Sequence, residues 1–367
     1  MKKRTKRIIF SFVLIIVFAG LCLYKFDSDS QKFFKIKNSI FTSGGAHFIN
    51  NYGETNDFSN ILVKGYFSYY KSKFKKRFVD QTEAFQTISE SKILNDITLL
   101  YRTYWSEDFM KTNNESKDYN FEFVKHLGSY LINNNLSNKT IEGIKSFKDV
   151  SSDLKKAIKK EGAFCETFFL NDTYDIIIWK TQSEKKIKVE TPNESREIPV
   201  VFFSDIILNN RLSFLSFGTK ETGGWPNNEK GVIYSGDYDE KSEKFKYSFL
   251  THEANHFFDM EKYPNLSAAD LEYRSKLIEL IYVKNDKNRM LKQFLTGASN
   301  KKRSHGHAYA NFKVMHDFSK QIFKKPFEGN LNKWKEVSVK TINKVALGLY
   351  KANEEKLKKN PKVKEVI

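Results

Sequence analysis

The spacing of apolar positions changes character several times along the chain. Ile8 to Tyr24 (IIFSFVLIIVFAGLCLY) is an unbroken run of 17 residues without a charge. From Asn56 to Lys160 apolar residues recur at helical intervals, as in Ala84, Ile88, Ile93, Ile97, Leu100 and Trp105, with Asp80 or Thr82 available as a cap. This half predicts mostly helix. Tyr174–Trp179 and Ile198–Phe203 are β-branched and aromatic, and the turn formers Thr191-Pro192-Asn193-Glu194 stand between them, so two adjacent strands are expected. Gly223-Gly224-Trp225-Pro226-Asn227-Asn228 predicts a loop, followed by a short strand over Gly231–Gly236. From Tyr247 the pattern is helical again and ends in a Lys-rich tail near 351–364. The expected fold is α+β, with a basic leader and anchor over 1–26, a mostly helical domain over 27–165, and a third segment over 166–367 in which a small sheet precedes helices.

The charges around the first apolar run set its orientation. Lys2, Lys3, Arg4, Lys6 and Arg7 precede it, and Asp27-Ser28-Asp29-Ser30 follows shortly after Lys25. Seventeen residues are at the short end of what crosses a hydrocarbon core about 30 Å thick. A cleaved signal peptide would need small residues before its cleavage site, and Phe18 and Leu21 spoil the options around Ala19 and Gly20; a lipoprotein would use Cys22, but Leu21 precedes it. The pattern favours an uncleaved single-pass anchor with the N-terminus cytoplasmic and residues from about 27 onward outside, in a cell membrane that is more in keeping with a bacterial envelope.

Composition narrows the partners. With 40% hydrophobic and 29% charged residues the chain is globular, and 6 Pro and 17 Gly are too few for collagenous or linker-dominated architectures. Two cysteines, Cys22 and Cys165, make no disulfide framework and no cysteine-based structural zinc site. The balance of 62 Lys+Arg against 44 Asp+Glu gives +18, five of it in the leader. The basic stretch Lys71–Arg77 (KSKFKKR) interleaves cations with Phe74. An outward-facing topology leaves no nucleic acid in reach, so the use that fits this charge is attraction to anionic lipid or an envelope polymer.

The chemistry is concentrated in His252-Glu253-Ala254-Asn255-His256, an HExxH sequence. Two imidazoles at i and i+4 leave one helix face a turn apart and can reach one metal ion at about 2.0–2.1 Å, and the glutamate between them can take a proton from water beside the metal. Tyr247–Met260 contains no Pro or Gly; Leu250, Ala254, Phe257 and Phe258 would form its apolar back, with His252, Glu253 and His256 on the other side. A second helix opens at Ser267 or Asp270 and carries Glu272 and Glu279 on one face. Either acid could complete a His2Glu zinc site. Glu272 is preferred because the short connection through Tyr263-Pro264-Asn265 can return it to the histidines, leaving Glu279 as an outer acid or a partner of Lys276 or Arg274.

A helix bearing HExxH followed by a glutamate on the next helix resembles the zincin metallopeptidases, and within them the gluzincin arrangement. Asp259 and Lys262 stand where a metzincin would carry Gly and His, so that pattern does not match. The resemblance implies a zincin-like domain holding Zn2+ through His252, His256 and Glu272, with Glu253 as the catalytic base. It implies an edge strand that pairs with extended substrate, for which Gly231–Tyr238 is in position. It also implies an oxyanion donor, for which His307 and Tyr309 in Ser304–Asn311 are candidates, and an outer-shell acid that Asp259 could supply by fixing a ligand ring. The expectation is a membrane-anchored extracytoplasmic zinc metallohydrolase acting on a peptide or protein. The alternative is an inactive zincin-like envelope binding or scaffold protein.

Overall fold

A computed structural model describes residues 26–367 apart from 38, 41–43, 53–56, 84–88, 113–115 and 171. The apolar run 8–24 and the leader lie outside the described residues, as do Ala84 and Ile88. Among the described residues no helix is long and apolar enough to cross a membrane. The chain is mixed helix and sheet and divides by contacts into two units. The first comprises residues up to Ile178 together with Ile207–Glu221, and the second Trp179–Ile206 together with Thr222–Ile367.

The first unit contains helix α1 over 26–37, α2 (Gly45–Tyr52), α3 (Ile61–Phe74), α4 (Lys92–Met110), α5 (Tyr119–Asn133), α6 (Phe147–Lys160) and the short α7 (Arg211–Leu215). Helix α4 starts later than Asp80 or Thr82 would start it, because Ser91 is its cap and accepts from the Leu94 amide at 3.1 Å. Buried aromatic residues fill the core, with Phe48, Phe67, Phe74, Tyr101 and Trp105 among them. Strand β1 (Phe164–Leu170), which the apolar pattern does not announce, belongs to this unit. Two buried carboxylates organise the polar part of its interior. Asp108 accepts from Thr173, Arg211 and Lys111, and Asp175 Oδ1 accepts from the Ile176 and Arg211 amides, both at 2.8 Å.

Strands β2 (Thr173–Glu190) and β3 (Ser195–Leu208) contribute residues to both units, and the expected turn joins them through a Thr191 amide to Glu194 carbonyl bond of 2.8 Å. The sheet order is β1-β2-β3-β5-β4, with β4 (Gly224–Asn227) and β5 (Val232–Ser235). Strand β5 runs parallel to β3, with Val200 opposite Ile233, and β4 runs antiparallel to β5, with Trp225 opposite Tyr234. Two expectations are corrected here. The stretch 223–228 contains a strand, and it is β4, an edge that tolerates Pro226, that lies at the margin of the sheet, whereas the strand within Gly231–Gly236 is interior.

The HExxH segment belongs to one long helical stretch with a change of winding. A short turn α8 (Glu243–Phe245) leads into a π-helical turn (Lys246–Thr251), which passes into α9 (His252–Lys262). Thr251 Oγ1 donates to the Lys246 carbonyl at 2.6 Å, inside the widened turn. The expected apolar back of Leu250, Ala254, Phe257 and Phe258 forms, joined by Phe249, and packs with Val189, Ile198, Val200 and Ile233 of the sheet. Helix α10 (Ala268–Tyr282) opens at Ser267, whose hydroxyl accepts from the Asp270 amide, and is buried on almost every side. Around it stand α11 (Lys287–Thr296), α12 (Gly306–Phe323), α13 (Leu331–Glu336) and α14 (Val339–Lys359), sharing a core of Leu277, Ile278, Met315, Phe318 and Trp334.

A polar network inside this helical layer fixes α9, α10 and α14 to one another. Arg274 of α10 is buried and donates through Nε and a terminal nitrogen to both oxygens of Asp259 on α9, at 2.7 and 2.8 Å. It also reaches Tyr350, Asn353 and Glu354 of α14, at 3.0, 2.9 and 2.7 Å. Asn255 donates to Asp259 at 2.8 Å, and Ser275 donates to the His252 carbonyl at 3.1 Å. Asp259 thus holds Arg274 and not a ligand imidazole, so neither an outer-shell ring contact nor an exposed surface acid describes it.

Candidate metal centre

His252 and His256 lie one helical turn apart on α9 with their rings nearly perpendicular, at 78°. Their Nε2 atoms approach to 3.1 Å. Glu272, in the first turns of α10, extends one oxygen toward each: Oε2 to His252 Nε2 at 3.5 Å and Oε1 to His256 Nε2 at 3.4 Å. Donor atoms bound to a tetrahedral zinc ion at about 2.0–2.1 Å stand about 3.3 Å from one another. The separations here are 3.1 Å between the imidazoles and 3.5 and 3.4 Å to the two carboxylate oxygens, and one donor atom from each of the three residues lies within 4.8 Å of the others, close enough to share one ion. The protein supplies three of the four corners of a tetrahedral site, and the fourth side is open.

The surrounding residues prepare the donors. Glu279, seven residues after Glu272, places Oε1 at 2.9 Å from His252 Nδ1. A proton held there on Nδ1 leaves the Nε2 lone pair facing the cage, which is the tautomer a metal ligand needs. Of the two acids on α10, Glu272 therefore faces both imidazole Nε2 atoms and Glu279 supports one ring from behind. Glu272 Oε2 is buried and accepts no well-directed hydrogen bond, although His307 Nδ1 comes within 2.7 Å of it and Lys276 Nζ within 3.6 Å. A buried carboxylate is costly to hold unless cationic groups surround it, and here imidazoles and an ammonium do so.

The electrostatics point the same way. Burial alone would push the His252 imidazole down, but the carboxylates of Glu272, Glu279 and Glu253 outweigh it and lift it to about 10. Burial would raise the Glu272 carboxyl, yet contacts from His252, His256 and His307 hold it far below the usual carboxylate range. The centre of the cluster favours positive charge.

The open side faces a cavity of about 410 Å3. His252, Glu253, Lys276 and His307 line it together with Tyr238 and Phe249, whose rings stack at 4.9 Å. Tyr238 is held above its ordinary pKa, first by burial and then by the charge of Glu253 across the cavity. Gly223 borders the same space, and a Cβ there would come within 2.2 Å of the Tyr238 hydroxyl. A larger hollow of about 770 Å3 in the first unit follows α6, where Lys148, Lys155, Lys156 and Lys159 form a solvated helix face.

The structure thus gathers His252, His256, Glu272, Glu253 and His307 in one place. It sets His307 against the Glu272 carboxylate as well as at the cavity wall. Tyr309 follows on α12, its ring under Arg303, 5.1 Å from the guanidinium, and beside Phe312, and it is not among the residues that line the cavity. Tyr238 is the tyrosine among the residues that line the cavity. Its only sequence signal is a lone tyrosine after a glycine-bounded strand, which says nothing of where the loop returns. No family model matches the chain, and comparison with curated proteins and with solved structures returns no match.

Proposed function

We propose that the protein is a zinc-dependent hydrolase of the gluzincin kind, cleaving an amide bond in a peptide or protein substrate. The observation that supports this is the convergence of His252 Nε2, His256 Nε2 and the Glu272 carboxylate within the reach of one ion, a donor set of the kind zinc takes. Zn2+ bound there would act as a Lewis acid and supply water acidified toward neutral pH. Glu253, at the cavity wall beside His252, takes the proton released in the attack and returns it to the leaving nitrogen. Glu279 holds the His252 ring in its ligand tautomer, and His307 orients Glu272 from the solvent side. The Tyr238 hydroxyl, on the wall shared with Glu253, is placed to donate to the developing oxyanion. Strand β4, last in the sheet order, begins at Gly224 on the border of the cavity, where an extended chain could lie along it.

The same reading takes residues 8–24 as a single-pass anchor and the chain beyond as extracytoplasmic. The test is metal content by elemental analysis of the purified full chain beside His256→Ala and Glu253→Gln, with cleavage of a mixed peptide library followed by mass spectrometry. One zinc per chain in wild type and Glu253→Gln, lost in His256→Ala, together with cleavage by wild type alone, supports the reading. Zinc without cleavage in any arm would favour a binding or scaffold role, and no zinc after reconstitution would overturn the proposal.

A further inference from the structure

One helix of the first unit is apolar on the side that nothing in that unit covers. Helix α3 buries Val63, Phe67, Tyr70 and Phe74 in the core. Its outer side carries Ile61, 81% exposed, Leu62, 70%, Tyr66, 53%, and Tyr69, 58%. Leu62, Tyr66, Tyr69 and Lys73 follow one another at i, i+4, i+7 and i+11, a single stripe. At Gly65, beside that stripe, an added Cβ would meet nothing within 4 Å. A helix with an apolar stripe on its solvent side as well as its core side needs a second apolar environment for that stripe. Helix α1 extends the patch: Phe33 packs edge-on against Tyr66 at 5.3 Å, while its neighbour Phe34 is 58% exposed.

The charge around the patch identifies the environment. Residues 61–79 contain no acid and five lysines, Lys64, Lys71, Lys73, Lys75 and Lys76, besides Arg77, which is paired inward with Glu83. Lys73 lies over the Tyr69 ring at 5.6 Å, its stem along the aromatic face. Tyrosines and aliphatic residues ringed by lysines are the composition of a helix that lies in the headgroup region of an anionic bilayer. The position in the chain agrees, since the apolar run ends at Tyr24, two residues before the α1 segment that packs on α3.

We infer that the outer face of α3, with Phe34, rests on the anionic lipid surface beside the anchor and fixes the first unit against the membrane. The inference rests on reading 8–24 as an anchor and is independent of the metal centre. It is tested on the full chain in nanodiscs of phosphatidylcholine with or without phosphatidylglycerol. A bimane label is placed at Ile61→Cys, Tyr69→Cys or, as a control on the exposed side of α6, Lys156→Cys, each in a Cys22→Ser, Cys165→Ser background, with doxyl-labelled lipid as quencher. Quenching at positions 61 and 69 should exceed that at 156 by about threefold or more in anionic discs and fall in neutral ones. Equal quenching at all three positions, or no dependence on phosphatidylglycerol, overturns it. So does a dimer in detergent that shields positions 61 and 69, which would assign the face to a second copy of the chain. A chain that does not enter discs at all overturns both this inference and the anchor, and leaves the zinc measurement to decide the metal centre separately.

Discussion

Arg274 is the residue whose loss the structure predicts to be most damaging without touching the metal cage. It is buried, engages both oxygens of Asp259, and reaches Glu354, Asn353 and Tyr350, with its guanidinium 4.5 Å from the Tyr350 ring. Replacement by Met keeps the stem and removes the charge. Asp259 and Glu354 then remain buried without their common cation; Glu354 keeps Lys262 and Tyr263, while Asp259 keeps Asn255. Breaking a buried pair by removing one partner costs about 3–5 kcal/mol, a large part of the 5–15 kcal/mol that holds a typical domain. With a urea m-value of about 2 kcal/mol/M, the midpoint of the transition reporting the second unit should fall by about 1.5–2.5 M. Arg274→Lys should recover less than half of this, because an ammonium cannot make the fork to Asp259 and reach α14 together. The assay is urea unfolding followed by intrinsic fluorescence, with midpoints compared at unchanged slope. A fall of less than about 0.5 M for Arg274→Met would refute the argument that this network clamps the three helices.

Three further outcomes follow from other parts of the molecule. Glu279→Ala should weaken zinc binding by about 10–100-fold in a chelator competition while the far-ultraviolet circular dichroism is unchanged, and unaltered affinity would show that the His252 Nδ1 contact orients nothing. Asp175 is raised to about 6, chiefly by burial and against the help of the Arg211 and Ile176 amides. Its folded pKa lies above the unfolded value of 3.8, so the folded state holds the extra proton between about pH 4 and 6 and stability falls as pH rises through that window. Asp175→Asn keeps an oxygen for both amides and should flatten that fall, gaining on the order of 3 kcal/mol above pH 6; a pH profile parallel to wild type would contradict it. Gly224→Ala would set a Cβ 2.3 Å from the Tyr234 carbonyl oxygen and 2.4 Å from the Phe249 ring, and should lower thermal stability by about 1–3 kcal/mol. A neutral result in differential scanning calorimetry would refute the close approach of Gly224 to Tyr234 and Phe249.

What could be read from the chain and what could not divide along physical lines. The His252–His256 pair and the apolar back of Leu250, Ala254, Phe257 and Phe258 are local consequences of helical periodicity, and the α10 cap at Ser267 is a local hydrogen bond; all were visible in the order of residues. Glu272 was reachable because a short connection limits where the next helix can start. The same connection favoured Glu272 over Glu279, but both lie on one face, and only packing shows that Glu279 reaches Nδ1 of His252 while Glu272 reaches the Nε2 atoms. Asp259 reads as a polar position near a helix end, and its burial depends on Arg274 arriving from another helix. Strand β4 was hidden because Gly223-Gly224 and Pro226 are turn formers by composition, and an edge strand accepts them since one side of its backbone needs no partner. Tyr238 became visible only when its loop returned beside Glu253.

The π turn ahead of His252 acts as a phase shifter. An α-helix advances about 100° per residue, so a stripe begun by Phe245 and Phe249 would continue at 252, 253 and 256 and press the histidines into the sheet. The extra residue of the wide turn hands the sheet-facing role to Leu250, Ala254, Phe257 and Phe258, and turns His252 and His256 toward α10. Excising one residue between Lys246 and Thr251 would restore an ordinary helix and swing the imidazoles by about that same angle, away from Glu272. The angular position of the donor pair is therefore set by a single surplus residue upstream of the motif, which a search for HExxH alone would pass over.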